Sequence, residues 1–308
     1  LNSNIHRGTH YLAQEATLAH ENARKLIARH LNASSVEEII FTSGATDGIN
    51  LISSILGYSG KINPGDVIAI SNLEHHSNTV PWQMLCERSG AELEVIPVTE
   101  EGTIDSTAFD HLLEKTSGRL KVLALTQISN AFGTILPLGP MIDSAHQAGA
   151  LVVIDGAQAV PHLSVNMQDL DADFYVFSGH KVYAPTGIGV LYGKRELLED
   201  LPPWRGGGEM IRKVSYEGTT FNDLPYKFEA GTPNIEGAIA LAAALEYLNG
   251  LGLQNVSSHE DEIIRRAASA LTSIRGVTLY GPSDRSGSLS FNIAVSYTHL
   301  TLPTNCVV

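Results

Sequence analysis

Two apolar runs in the middle of the chain each end on groups that could do chemistry. Leu151-Val152-Val153-Ile154 leads into Asp155, and Phe174-Tyr175-Val176-Phe177 leads into Ser178-Gly179-His180-Lys181. Short apolar runs bounded by turn signals read as buried strands, and in a parallel α/β sheet the ligand crevice lies beyond the C-terminal strand ends. An acid and a lysine set there can face one ligand. A lysine in a partly desolvated site forms an imine with an aldehyde. A carboxylate beside a pyridine nitrogen favours the protonated ring, the electron sink that pyridoxal phosphate chemistry requires. The pair therefore suits a cofactor held as a Schiff base. Taken singly, Lys181 also reads as a surface lysine and Asp155 as the cap of a following helix.

Three further groups fit the same ligand. Gly44-Ala45-Thr46 marks a strand-to-helix turn, where backbone N–H groups and the helix dipole attract an anion and glycine permits close approach. An ordinary glycine turn reads the same way. Ser178 and His180 could add donors to a phosphate, or cap local backbone. His75, in Glu74-His75-His76-Ser77-Asn78, could stack on an aromatic ring, and a helix N-terminus capped by Ser77 or Asn78 is compatible with that. A metal is not expected at His75-His76, because sequence neighbours point apart and no Cys or carboxylate set has ligand spacing.

The elements that must position these groups follow from the pattern. Strands are expected at 38–42, 67–71, 92–97, 122–127, 151–155, 174–178 and 188–192, alternating with helices at 9–31, 47–56, 79–88, 106–114 and 138–148. This is the βαβ signature of an α/β fold with a mostly parallel sheet flanked by helices. After Tyr192 the breaker-rich Pro202-Pro203-Trp204-Arg205-Gly206-Gly207-Gly208 opens a stretch without period up to Asn234, expected as a long functional loop. Helices follow at 235–249 and 256–271, then a strand at 287–294, so a second, smaller domain is expected to begin here.

At 308 residues the chain can bury a substantial core. A net charge of -13 argues against a nucleic-acid partner. The apolar stretches are too interrupted for a membrane span. Two cysteines, Cys86 and Cys306, form no disulfide framework and fit a reducing compartment, here the cytoplasm.

Taken together, the motifs resemble those of SUF-type cysteine desulfurases, in the class V aminotransferase group of fold-type I pyridoxal phosphate enzymes. The resemblance rests on Ser178 to Tyr183 with Pro185 to Gly189, on Phe41 to Thr46, and on Glu74 to Asn78 with Pro81-Trp82-Gln83. Ser129-Asn130, Asp155 to Ala159, Gly206 to Ile211 and Phe228 to Asn234 extend it over about 4–294. It implies that Lys181 holds pyridoxal 5'-phosphate as a Schiff base, that Asp155 meets the pyridine nitrogen, and that His75 stacks on the ring and assists proton transfer. It further implies that Asn130 and Gln158 lie near the ring hydroxyl and that Ala45, Thr46, Ser178 and His180 bind the phosphate. Thr232 would reach the phosphate of a neighbouring subunit in a homodimer. The implied reaction converts L-cysteine to L-alanine, with sulfur passed to an enzyme cysteine as a persulfide, then to a SUF-type acceptor for iron-sulfur cluster assembly.

The chain departs from this pattern in three respects. The resemblance places the nucleophilic cysteine and a substrate-binding arginine beyond the position of Ala294, so the chain is expected to be truncated at both ends and inactive as it stands. Residues 295–308 (VSYTHLTLPTNCVV) have no period, and their start resembles one translated frame of a common sequencing adapter. They are expected to be a non-native tail, leaving a large domain at 1–234 and the start of a small one at 235–294. Cys86 reads as a buried structural thiol and is not assigned as the nucleophile. Ala45 stands where a threonine is more usual, a milder change because the backbone N–H survives. A selenocysteine lyase, another class V aminotransferase, or a non-catalytic pyridoxal-phosphate-binding protein are the alternatives.

Overall fold

The computed structural model describes residues 3–6 and 8–294. The expected tail at 295–308 lies outside the described residues.

Helix α1 (Tyr11–His30) starts where His10 accepts a hydrogen bond from the Ala13 N–H, one of the free donors of a first turn. Strand β1 (Ile39–Thr42) and helix α2 (Ala45–Tyr58) follow, then β2 (Val67–Ser71), α3 (Val80–Ser89), β3 (Glu92–Ile96), α4 (Ser106–Lys115) and β4 (Leu120–Thr126). Next come α5 (Leu138–Gln147), β5 (Leu151–Asp155), the short α6 (Met167–Leu170), β6 (Phe174–Ser178) and β7 (Gly189–Gly193). These strands form one seven-stranded sheet in the order β1-β7-β6-β5-β4-β2-β3. All run parallel except β7, which is antiparallel to both of its neighbours. The α/β fold with a mostly parallel sheet is thus as expected.

Every residue of β1, β2, β6 and β7 is buried, as a sheet covered on both faces requires. One core lies under α1, α4 and α5; the other lies under α2 and α3, with Trp82 fully buried. Among the described residues no helix is long and apolar enough to cross a membrane.

Helix α7 (Arg195–Asp200) precedes the stretch expected as a long loop, and that stretch contains a hairpin, β8 (Ile211–Ser215) with β9 (Gly218–Phe221). The hairpin is exposed along almost its whole length, so no apolar face alternates in its sequence. Helix α8 (Ile235–Leu251) sets Ala238, Leu241 and Leu245 into the same core as Leu26 and Ile27 of α1. Gly252, at φ 80°, separates it from α9 (Leu253–Thr272), which has no buried residue. The expected strand at 287–294 is β11 (Ser290–Ile293); it pairs with β10 (Val277–Tyr280), which sequence reading missed.

One buried ion pair fixes α1 to the sheet. Arg24 Nη1 and Nη2 donate to the two Glu229 carboxylate oxygens at 2.7 and 2.9 Å, and Nη1 also donates to the Ile39 carbonyl at 2.7 Å. Glu229 Oε1 accepts from the Phe41 N–H at 2.7 Å, so both charges are tied to β1. Burial alone would lower the Arg24 pKa, but the adjoining Glu229 carboxylate outweighs it and the net shift is upward.

Breaking a buried pair leaves an uncompensated charge. Glu229→Gln is therefore expected to cost about 3–5 kcal/mol in urea unfolding. Replacing both partners, as Arg24→Met with Glu229→Leu, should recover most of that loss; an additive loss in the double variant would contradict it.

Candidate active site

Because β2, β4, β5 and β6 are parallel, their C-terminal ends emerge along one edge of the sheet. Asp155 is the last residue of β5, in register with Thr126 of β4 and Val176 of β6. Lys181 follows β6 on the 3-10 turn Gly179–Val182, and His75 follows β2. The residues singled out from sequence are thus delivered by neighbouring strands to one place.

Asp155, Lys181 and His75 lie close enough to act on one another's charge. Asp155 is buried, and burial pushes its carboxyl pKa up. The Ala157 N–H, which donates to Oδ1 at 2.9 Å, and the charges of Lys181 and His75 oppose that shift. Asp155 thus holds the turn that follows β5 and lies within reach of the Lys181 charge. His75 is pushed below the ordinary histidine range, first by burial and then by the Lys181 charge, against the pull of Asp155. A neutral imidazole results, and its Nδ1 accepts from the Ser77 N–H at 3.1 Å. His75 itself, rather than Ser77 or Asn78, is the residue that caps the 3-10 turn His76–Asn78.

The glycine turn lies against the end of β6. The Ala45 N–H donates to Ser178 Oγ at 2.8 Å, and Gly44 caps α2 without any side chain, leaving the start of this helix open to an anion. Gly189 makes the approach possible: a Cβ there would stand 2.5 Å from Gly44 Cα and 2.7 Å from the Phe177 carbonyl oxygen. Thr46 Oγ1 meets Ser77 Oγ at 2.6 Å, and Ser77 Oγ meets His75 Nδ1 at 3.0 Å. A hydrogen-bonded chain therefore joins the turn to His75.

The remaining candidates are less constrained. Asn130 and Gln158 are partly exposed on the turns after β4 and β5. His180 is exposed on the 3-10 turn that carries Lys181. Thr232 is exposed and lines a cleft with Thr42, Ser43, Arg205 and Asn234. Among the described residues it makes no hydrogen bond to Lys181, Asp155 or His75. Histidines do meet a carboxylate elsewhere, where His6 and His20 contact Glu21 Oε1 at 3.0 and 3.4 Å.

Three contributors escaped sequence reading. Ser77 links the turn to His75. Tyr175, pushed well above its ordinary pKa by burial and then by Asp155, stays protonated and donates to Gln127 at 2.6 Å. Glu74 lies next to Asp155 in the same electrostatic field. Tyr175 lies against Gly156, where a Cβ would stand 1.9 Å from its ring, a contact between β6 and the end of β5 that no sequence pattern marks.

The model of the aminotransferase class V family matches residues 1–302. The chain belongs to this family. A cysteine desulfurase of Enterobacter sp. (strain 638) is 50% identical over 290 residues, covering 94% of this chain and 70% of its own. The apo structure of the cysteine desulfurase from Thermococcus onnurineus NA1 superposes with a TM-score of 0.90 at 38% identity, over 97% of this chain and 74% of that one. The cysteine desulfurase CsdA (S-sulfonic acid) from Escherichia coli gives 0.87 at 40%, with the same coverage.

Membership of this family implies pyridoxal 5'-phosphate as the cofactor, and the residues present fit it. An uncapped helix start beside a serine hydroxyl suits a phosphate, and a buried carboxylate in the field of a lysine suits a protonated ring nitrogen. Since Gly189 sets the Gly44 approach, Gly189→Ala must push the turn away. Fluorescence titration of the apoprotein with pyridoxal 5'-phosphate should then show affinity lower by about tenfold or more, roughly 1.4 kcal/mol. Unchanged affinity would mean that this turn does not hold the phosphate.

Proposed function

We propose that the protein is a pyridoxal-phosphate-dependent cysteine desulfurase that takes L-cysteine to L-alanine and passes the sulfur to an enzyme cysteine as a persulfide. The carrying observation is the joint presence of Lys181, Asp155 and His75 in one electrostatic field, in a chain half identical to a cysteine desulfurase over 94% of its length. When bound, the cofactor supplies the electron sink that weakens the bonds at the substrate's α- and β-carbons.

The chain's own residues divide the rest of the work. Lys181 Nζ holds the cofactor's aldehyde carbon between turnovers and carries protons at the substrate α-carbon. Asp155 keeps the ring nitrogen protonated. His75 would stack on the ring; being neutral, it would pack there without a charge that opposes the ring. Ala45 was expected to bind phosphate by its amide. With that amide donated to Ser178 Oγ, Ala45 instead orients Ser178, whose own proton is left for the phosphate. Thr46 adds the amide of the open helix start, and His180 a second donor from its exposed turn. Asn130 and Gln158 serve the ring hydroxyl.

Cys86 is not assigned as the sulfur acceptor. It is buried, and burial raises its thiol pKa, so the reactive thiolate is scarce. Cys306, the other cysteine, lies outside the described residues. The same proposal takes the exposed Thr232 as a phosphate ligand of a second subunit in a homodimer. It takes a SUF-type protein as the sulfur acceptor for iron-sulfur cluster assembly and the cytoplasm as the compartment. The division into a large unit at 1–234 and the start of a second at 235–294 belongs to it too, with α8 as the joint.

The test is alanine and sulfide production from L-cysteine by the full-length holoenzyme, carrying the nucleophilic cysteine that the resemblance implies, in the presence of a thiol reductant. Lys181→Ala should abolish both turnover and the visible absorption band of the lysine-bound cofactor; persistence of the band would reject Lys181. Asp155→Ala should lower kcat by about 100-fold or more with a much smaller change in KM, as expected for a group acting on the transition state. Cys86→Ala should leave turnover within about twofold of the parent, and a complete loss would make Cys86 the nucleophile after all.

A further inference from the structure

Ser77 joins the phosphate turn to His75, and the direction of its hydrogen bonds decides what that ring can do. It stands second in the 3-10 turn His76–Asn78, where a main-chain N–H has no partner within the turn. That N–H donates to His75 Nδ1 at 3.1 Å. Buried neighbours pin the turn from below. Asn78 Nδ2 donates to Glu74 Oε2 at 2.6 Å, Asn78 Oδ1 accepts from Trp82 Nε1 at 3.0 Å, and Glu74 Oε1 meets Ser71 Oγ at 2.5 Å. Ser77 is therefore held against the His75 ring by the ends of β2 and α3.

A peptide N–H can only donate, so Nδ1 presents a lone pair and carries no hydrogen. The ring is then neutral, with its one proton on Nε2. Among the described residues no hydrogen bond reaches that second nitrogen. Ser77 Oγ lies 3.0 Å from Nδ1 and 2.6 Å from Thr46 Oγ1. Were its hydrogen turned toward Thr46, two lone pairs would face each other across the 3.0 Å contact. Turned toward Nδ1 it removes that repulsion, and Thr46 becomes the donor to Ser77. The hydroxyls then run one way, from the start of α2 into the ring.

We infer that Ser77 is a positioning residue: its main-chain N–H and its hydroxyl fix His75 as the Nε2–H tautomer, a hydrogen-bond donor that does not carry protons between groups. To take a proton at Nδ1 the ring would have to give up both Ser77 donors. To release the proton on Nε2 it would have to become an anion. The resemblance gives His75 a share in proton transfer; the direction of these hydrogen bonds leaves that work to Lys181. What the Nε2–H meets rests on the proposed function, whereas the tautomer does not. Burial, then the Lys181 charge, and His76 after them also favour the neutral ring, against Asp155.

Nitrogen-15 placed at Nδ1 of histidine alone reads the tautomer in the full-length protein without cofactor. In solid-state spectra at pH 7, with His75→Gln identifying the His75 signal, that signal should lie far downfield, where an unprotonated ring nitrogen resonates. Ser77→Ala keeps the main-chain N–H, so Nδ1 should stay unprotonated. Ser77→Pro removes that N–H in a first turn, where proline is tolerated, and the pH midpoint of the signal should rise by about one unit, a tenfold easier protonation. In the full-length holoenzyme, His75→Gln retains an N–H donor but no titrating nitrogen, so its kcat for L-cysteine should exceed that of His75→Ala by about tenfold or more. A protonated Nδ1 in the parent, a signal that becomes protonated in Ser77→Ala, a midpoint unmoved by Ser77→Pro, or equal turnover in the Gln and Ala variants of a working enzyme would each overturn the assignment. A parent holoenzyme without turnover would instead overturn the desulfurase reading, and the nitrogen signals, taken without cofactor, would still decide the tautomer.

Discussion

A buried carboxylate at the end of a central strand is the constraint around which this molecule is arranged. Taking such a charge out of water costs several kcal/mol even after relaxation, and only hydrogen bonds or opposite charge can offset that. Asp155 receives the Ala157 N–H locally and the field of Lys181 from the loop after β6. The sheet order makes this possible. With β5 between β4 and β6, residues from the neighbouring strand ends reach Asp155 without long excursions.

The second requirement is that these loops stay put. Gly189 lets β7 lie almost against the Gly44 turn, and the Ser178 hydroxyl bonds that turn to β6, so the turn is held in place from both strands. Thr46 and Ser77 then couple the turn to His75. From the other side, the Arg24 and Glu229 pair clamps to α1 the strand β1, whose last residue, Thr42, is separated from the turn only by Ser43. Packing and site geometry are therefore one structure: a strand shifted by a few tenths of an ångström would shift a ligand donor with it.

How far the sequence could be read follows from the same physics. Parallel strands buried on both faces are continuous apolar runs, so β2, β4, β5 and β6 were legible, and with them the residues at their ends. The direction of β7 was not evident from its apolar residues, which read the same either way. Its short link to β6, residues 179–188, was the available clue, because a parallel neighbour needs a longer crossover. The β8–β9 hairpin and β10 were missed because their side chains are mostly exposed and carry no period. Glu74 and Ser77 were missed as functional groups for a different reason: a polar residue in a loop gives no local sign that the fold will bury its tip. Lys181, Asp155 and His75 were found through position relative to strands, whereas Asn130, Gln158 and Thr232 came from family resemblance alone.

The charge pattern also constrains how an anionic cofactor could be held. At a net charge of -13 the chain as a whole repels a phosphate, though salt screens that field over about 8 Å at physiological ionic strength. Binding must then come from donors at contact distance, which is what an uncapped helix start, a serine hydroxyl and a neighbouring lysine provide. Each further negative charge at the site would work against it. Asp47, in the first turn of α2, is met by the Ser43 N–H and by Arg205 at 2.9 Å each.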